Sequence, residues 1–249
     1  VSLVKGTTPP GAANEQEAAA YVRRMFGRVA RRYDLLNHLL SFQTDRYWRY
    51  RTALEVEPFL RRPGARVLDL CCGTGDLTLA LERRAGGDAL LLGGDFCRPM
   101  LEEAQRKQRG RGSQIEWIEC DGLELPFPDD SLDLVTTAFG FRNFANYRAA
   151  LKELRRVIKP GGMLAILEFS TPPNPVFRAL YRFYSETLLP ALGGWISGDR
   201  SAYTYLPDSV KKFPGAELLA AEMEAAGFTR VRFRRMTFGI VALHTGLSG

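Results

Sequence analysis

The chain has 249 residues, 45% of them hydrophobic and 25% charged, with a formal net charge of +6. That length and composition suit one well-filled folded domain and argue against disorder. No apolar run is long enough to span a bilayer, and the polar, proline-containing start lacks a secretory hydrophobic region, so the expected location is the cytoplasm.

Residues 1–13 are expected to form a flexible tail, because Pro9-Pro10-Gly11 cannot continue a helix. From Asn14 the residues Ala18, Tyr21, Val22, Met25, Phe26, Val29 and Tyr33 recur at helical period. Residues 14–62 therefore read as a helical segment that packs on the core or forms a lid over a substrate. Tyr33, Asn37, Ser41 and Asp45 follow one another at four-residue spacing. One continuous helix would place them on a common face, turned either to solvent or to a substrate.

Residues 63–249 form the main domain. Its first strand, Val67-Leu68-Asp69-Leu70, breaks into Cys71-Cys72-Gly73-Thr74-Gly75-Asp76 before a helix that begins at Leu77. Gly73 and Gly75 let a ligand approach the backbone, and the amide end of the helix faces it. A dinucleotide loop would carry a third glycine, which is missing here. A second strand, Leu90 to Asp95, ends in an acid 20 residues beyond Gly75, the spacing at which a carboxylate accepts ribose hydroxyls. The third strand, Ile115 to Cys120, leads into Asp121-Gly122, and the fourth, Leu132 to Ala138, into Phe139-Gly140. Any one of these acids reads equally well as a turn or a helix cap. Four strands in succession, each ending in small or acidic residues, point to a cofactor site. Pro99 to Lys107 and Tyr147 to Ile158 read as helices, and Met163 to Phe169 as a fifth strand.

Residues 171–212 interrupt the alternation. Prolines bound an aromatic helix containing Phe177, Leu180, Tyr181, Phe183 and Tyr184, followed by Trp195, Tyr203 and Tyr205. An insertion here hangs over the carboxyl ends of the strands and can wall an apolar pocket. A satellite core or a homodimer contact is the alternative for these aromatics. Ala216 to Ala226 then reads as a helix, and Thr229 to Arg235 and Phe238 to Thr245 as two strands. Of the four cysteines, Cys71 and Cys72 form a pair with no second pair at metal-ligand spacing. Neither a metal site nor a disulfide is expected.

The loop from Asp69 to Gly75 resembles motif I of the S-adenosylmethionine-dependent methyltransferases, and longer blocks narrow the resemblance. They are Phe26 to Asn37 leading into Leu40 to Arg49, then Phe139-Gly140-Phe141-Arg142-Asn143, then Arg156 to Gly162 with Leu167 to Ser170, and finally Tyr203 to Val210 with Phe213-Pro214. From about residue 21 onward the chain resembles the quinone C-methyltransferases of ubiquinone and menaquinone biosynthesis.

The resemblance implies a class I methyltransferase fold: an α/β, Rossmann-like, seven-stranded sheet, mostly parallel, with a C-terminal antiparallel hairpin strand and helices on both faces. It implies S-adenosylmethionine as cofactor, held by Asp69, Gly73, Thr74, Gly75, Asp95, Phe96, Asp121, Gly122 and Phe139. The reaction it implies is methylation of a ring carbon of a reduced, demethylated polyprenyl quinol, with demethylmenaquinol first. The benzenoid ubiquinone precursor, or another small aromatic or lipid, is the alternative. Arg142 would stabilise a developing phenolate and Asn143 orient the ring. Asp45, with Tyr33 second, would accept a proton, and Asn37, Ser41, Tyr181, Tyr184 and Tyr203 would contact substrate. The chain departs from the family pattern at Gln43, where glycine is usual, and at Cys71, where alanine or glycine is usual.

Charge is unevenly placed: residues 1–62 carry +5, residues 63–170 carry −2 and residues 171–249 carry +3. The excess lies in the flanks that would cover a substrate opening. It suits transient contact with an anionic membrane surface, and equally simple solubility. The chain carries no zinc-finger, helix-turn-helix or base-stacking pattern, so nucleic acid is not an expected partner.

Overall fold

The structure, a computed structural model, describes residues 5–7, 9–188 and 200–249. Strand β1 (Arg66–Leu70) is buried along all but its first residue, as a parallel strand covered on both faces must be. It lies between β2 (Leu90–Asp95) and β4 (Leu132–Ala138). Beyond β2 comes β3 (Glu116–Glu119). Beyond β4 come β5 (Ile158–Phe169), β7 (Val241–Ser248) and β6 (Phe228–Met236). The first five strands are parallel, and β7 runs antiparallel to both its neighbours. The strand order reverses at β1 and β4, which opens a crevice at their carboxyl ends.

Alternation along the strands divides the core into two layers. Leu68, Leu70, Val135 and Ile166 face α6 (Tyr147–Val157) and α8 (Ala216–Ala225), which pack through Leu151, Leu154, Leu219 and Met223. Val67, Leu91, Leu134 and Leu167 face α3 (Thr44–Leu60) and α4 (Asp76–Glu82), which pack through Trp48, Val56, Leu60, Leu77 and Leu81. Helix α5 (Arg98–Gln108) lies beside β2 and β3. No described helix is long and apolar enough to cross a membrane.

Helix α1 (Glu15–Val29) begins with a reciprocal cap: Asn14 Oδ1 accepts from Glu17 N, and Glu17 Oε2 accepts from Ala13 N. Helix α2 (Tyr33–Leu40) follows, but it does not continue into α3. Phe42 and Gln43 adopt φ of +51° and +63°, and the chain turns between the helices. The single helix expected through Tyr33, Asn37, Ser41 and Asp45 is therefore broken after Ser41. The left-handed conformation costs a residue with a Cβ about 1–2 kcal/mol, which gives the physical reason for glycine at position 43.

Two further departures have local causes. The tail expected to be loose is docked over Lys5–Thr7: Tyr147 N donates to Lys5 O at 2.9 Å and Thr7 N donates to Phe144 O at 2.8 Å. A Cβ on Gly6 would stand 1.9 Å from the Ala145 carbonyl oxygen, so only glycine fits there. Phe238, expected at the start of the last strand, sits instead in the β6–β7 turn at φ +56°, and the strand begins at Val241. Cys71 is also left-handed, at φ +55°. A Cβ on Gly140, at the end of the neighbouring β4, would lie 2.2 Å from the Cys71 Cβ.

Candidate active site

The crevice at the carboxyl ends of β1 and β2 is built around two buried carboxylates. Asp69 Oδ1 accepts from Thr136 Oγ1 at 2.8 Å, and its Oδ2 accepts from Thr78 Oγ1 at 2.6 Å. Asp95 closes the glycine loop: Oδ2 accepts from Gly73 N and Oδ1 from Cys97 N, both at 2.8 Å. Burial raises both acids to about 6, against the hydrogen bonds that favour their ionised forms. Gly73 and Gly75 have φ of +56° and +84°. A methyl group on Gly73 would meet nothing closer than the Tyr33 ring, at 3.8 Å. Phe96 lies beneath the Arg23 guanidinium, Asp121 is exposed and accepts from Leu123 N, and Gly122 packs where a Cβ would strike Phe144. Open backbone at Gly73 beside two buried carboxylates fits a cationic sulfonium cofactor better than a phosphate.

Helices α2 and α3 close onto this loop through charge. Thr74 Oγ1 donates to Asp34 Oδ1, and Lys107 Nζ reaches Asp34 and Asp76, each at 2.6 Å. His38 donates to Asp45 at 2.7 Å and lies 3.7 Å from Asp76, while Arg49 pairs with Asp45. The cleft left between Tyr33, Arg49, Asp69, Gly73 and Asp76 measures about 20 Å³. His38, Arg49, Asp76 and Lys107 had not been anticipated. They stand on four different helices, α2, α3, α4 and α5, so only the i,i+4 spacing of Asp45 and Arg49 is a local signal, and the turn at Phe42–Gln43 sets α2 beside α3.

On the other side of Tyr33 a much larger, mostly apolar cavity of about 540 Å³ opens. Tyr33, Asn37, Ser41, Asp45, Arg142, Tyr181 and Tyr184 line it, and so does Phe139, which the resemblance assigned to the cofactor. Tyr184 is held by donating to Leu40 O. The side chain of Tyr203, assigned to the same wall, lies outside the described residues, as does Trp195. Asn143 is not among the cavity-lining residues. Its Oδ1 accepts from the hydroxyl of Tyr205, which does line the cavity and lies 2.7 Å from Thr7 Oγ1.

Asp45 is a weaker base than the resemblance suggests. Burial raises its pKa, but the Ser41 hydroxyl at 2.7 Å, the Arg49 guanidinium and His38 outweigh this and hold the carboxyl below its ordinary range. Burial pushes the Tyr33 phenol up, against Arg142 and a hydrogen bond to Asn37, so Tyr33 stays protonated. Arg142 is kept charged: burial opposes the charge, but Glu168, 3.1 Å away and itself buried, outweighs it. Glu168 also accepts from Arg142 N and Phe169 N. It was missed in the sequence, although one acid inside the apolar run Met163 to Phe169 is the signal that marks it.

The sheet order, the glycine loop and the acids at the ends of β1 and β2 define a class I methyltransferase. A structure titled as a SAM-dependent methyltransferase from Aquifex aeolicus superposes with a TM-score of 0.58 at 19% identity, covering 80% of this chain and 89% of that one. The family model described as the ubiE/COQ5 methyltransferase family matches residues 12–248, and the chain belongs to that family. Among its relatives is a demethylmenaquinone methyltransferase of Thermus thermophilus, 53% identical over 89% of this chain and 99% of that protein. A demethylmenaquinone methyltransferase of Deinococcus radiodurans is 45% identical over 95% of this chain and 96% of its own length.

Proposed function

We propose that this methyltransferase methylates a ring carbon of a reduced, demethylated polyprenyl quinol, demethylmenaquinol before the benzenoid alternative. The observation that carries this reading is the apolar cavity of about 540 Å³ with its polar groups gathered beside the cofactor loop. The two relatives named above, both demethylmenaquinone methyltransferases, support the choice of quinol.

Asp69, Gly73, Thr74, Gly75, Asp95, Phe96, Asp121, Gly122 and Phe139 would hold S-adenosylmethionine, which when bound supplies a methyl group on a positively charged sulfur. Only the reduced ring is electron-rich enough to attack it. Loss of a hydroxyl proton pushes negative charge onto the adjacent ring carbon, and the charged Arg142 lowers the energy of that phenolate. With that cofactor bound, the carbon's electron pair would form the bond to the methyl group as sulfur keeps the pair of the bond it loses, and the proton displaced from that carbon would return through solvent to the phenolate oxygen, restoring the aromatic hydroquinone. Tyr33 and Asn37 orient the substrate hydroxyl. Asp45, ionised at neutral pH and lining the cavity, takes the hydroxyl proton.

The site of action is the cytoplasm, in transient contact with an anionic membrane face where the substrate dissolves. Methyl transfer from labelled S-adenosylmethionine to short-chain naphthoquinols and benzoquinols tests the reading. The reduced naphthoquinol should be methylated on carbon and the oxidised quinone should not; equal turnover of the oxidised form defeats it.

A further inference from the structure

The helices and the turn that wall the large cavity also carry apolar side chains that face solvent. Leu35 and Leu39 on α2 and Phe42 just beyond it recur at helical spacing, with Phe42 77% exposed. On α7 (Pro175–Phe183), Val176, Leu180 and Phe183 recur in the same way, and the helix buries none of its residues. Phe238, 67% exposed at the β6–β7 turn, stacks on Phe177 with ring centroids 4.3 Å apart. Phe42 meets Tyr184 at 6.0 Å. Phe42, Phe177, Leu180 and Phe238 also line the cavity, so they belong to its rim. Single exposed apolar residues are ordinary, but a contiguous collar around an opening is not.

The collar carries positive charge. Arg178, Arg182 and Lys211 line the same cavity, and Glu186 is their acidic counterpart there, 3.8 Å from Arg182 and 3.0 Å from Lys211. Apolar stripes flanked by cations match the acyl–headgroup boundary of an anionic bilayer. A second copy of the chain would instead set these cations against themselves.

We propose that this collar is a lipid-docking surface: the α2 stripe, the α7 stripe and the Phe238 turn sit in the bilayer interface, and a polyprenyl tail passes from the membrane into the cavity without crossing water. This rests on the polyprenyl quinol reading above. It differs from attraction by net charge alone, because part of the binding survives high salt.

The test is a Leu35→Ser/Leu39→Ser/Phe183→Ser variant, whose three sites are exposed and outside the cavity lining. Vesicles of phosphatidylcholine with and without phosphatidylglycerol are sedimented at low and high salt. The variant should bind vesicles about tenfold or more weakly than wild type, lose activity on long-chain quinol in vesicles, and match wild type on a soluble short-chain quinol. A Phe183→Trp protein gives a second readout, its emission shifting to the blue when vesicles are added. Equal vesicle binding by variant and wild type, no shift at Trp, or a wild-type dimer that the variant dissociates without either binding vesicles would overturn the proposal. If wild type methylates no short-chain quinol, the substrate reading fails, while vesicle binding still reports on the collar.

Discussion

Arg142, in the wall of the cavity, forms an ion pair at 3.1 Å with Glu168, and both side chains are buried. The pair makes the proposed electrostatic catalyst part of the core, so substitutions at position 142 act on stability as well as turnover. Removing one member of such a pair leaves an uncompensated buried charge, at a cost of about 3–5 kcal/mol. Glu168→Ala should therefore lower the melting temperature by about 10 °C. Arg142→Met combined with Glu168→Leu should recover most of that stability without activity. Thermal unfolding of the three proteins checks this, and an unchanged melting temperature in Glu168→Ala would show that the charge is compensated elsewhere.

Asn143 reaches the cavity through Tyr205, whose hydroxyl it accepts at 3.0 Å. Asn143→Ala and Tyr205→Phe should then have similar effects: a raised KM for quinol, about threefold to tenfold for the loss of one hydrogen bond, with cofactor affinity unchanged. Their double variant should be no worse than either single one. Additive losses would mean that Asn143 acts on its own.

Gln43 is exposed and left-handed at φ +63°. Gln43→Gly relieves the strain but adds freedom to the unfolded chain, for a net gain of about 0.5–1 kcal/mol. The expected rise in melting temperature is about 2 °C; a fall would show that the Gln43 side chain contributes a contact worth more than its strain.

The strands and the acids at the carboxyl ends of β1 and β2 were legible because each rests on local pattern: an apolar run, then an acid or a glycine. Tyr33, Asn37, Ser41 and Asp45 reach a common cavity although the helix expected to unite them is broken, since Ser41 still bonds Asp45 across the turn. What pattern does not carry is long-range pairing. Glu168 with Arg142, Lys107 with Asp34, and Thr7 with Tyr205 join residues far apart in the chain. For Lys5–Thr7 the prolines that follow suggested looseness, while the informative residue was Gly6, whose fit against Ala145 no composition rule can foresee.

Asp69 and Asp95 are both raised to about 6 by burial. A folded-state pKa above the unfolded value means that protonation favours the fold. Their contribution is fully present below about pH 4 and is lost as pH rises through about 6. His244, lowered by burial, works against this below its ordinary pKa of 6.5, so the two acids are isolated by difference. Between pH 7.5 and 5, roughly the span that brackets these shifts, Asp69→Asn should gain less melting temperature than wild type. Equal gains would mean that Asp69 titrates near its ordinary value. Cofactor affinity in wild type should fall below about pH 6, because a cationic ligand favours the ionised carboxylates.

The contact between Cys71 and position 140 makes the two loop ends share room for one side chain. A Cβ at 140 would stand 2.2 Å from that of Cys71, so Gly140→Ala alone should disrupt the loop. With Cys71→Gly beside it, the alanine would meet Thr137 Oγ1 at 3.3 Å as its nearest remaining neighbour, and the backbone at 140, with φ of −108°, accepts it. The two positions are thus linked as an either/or choice. Substitutions at one should be tolerated in related chains only according to what stands at the other, a covariation that crosses from the loop after β1 to the loop after β4.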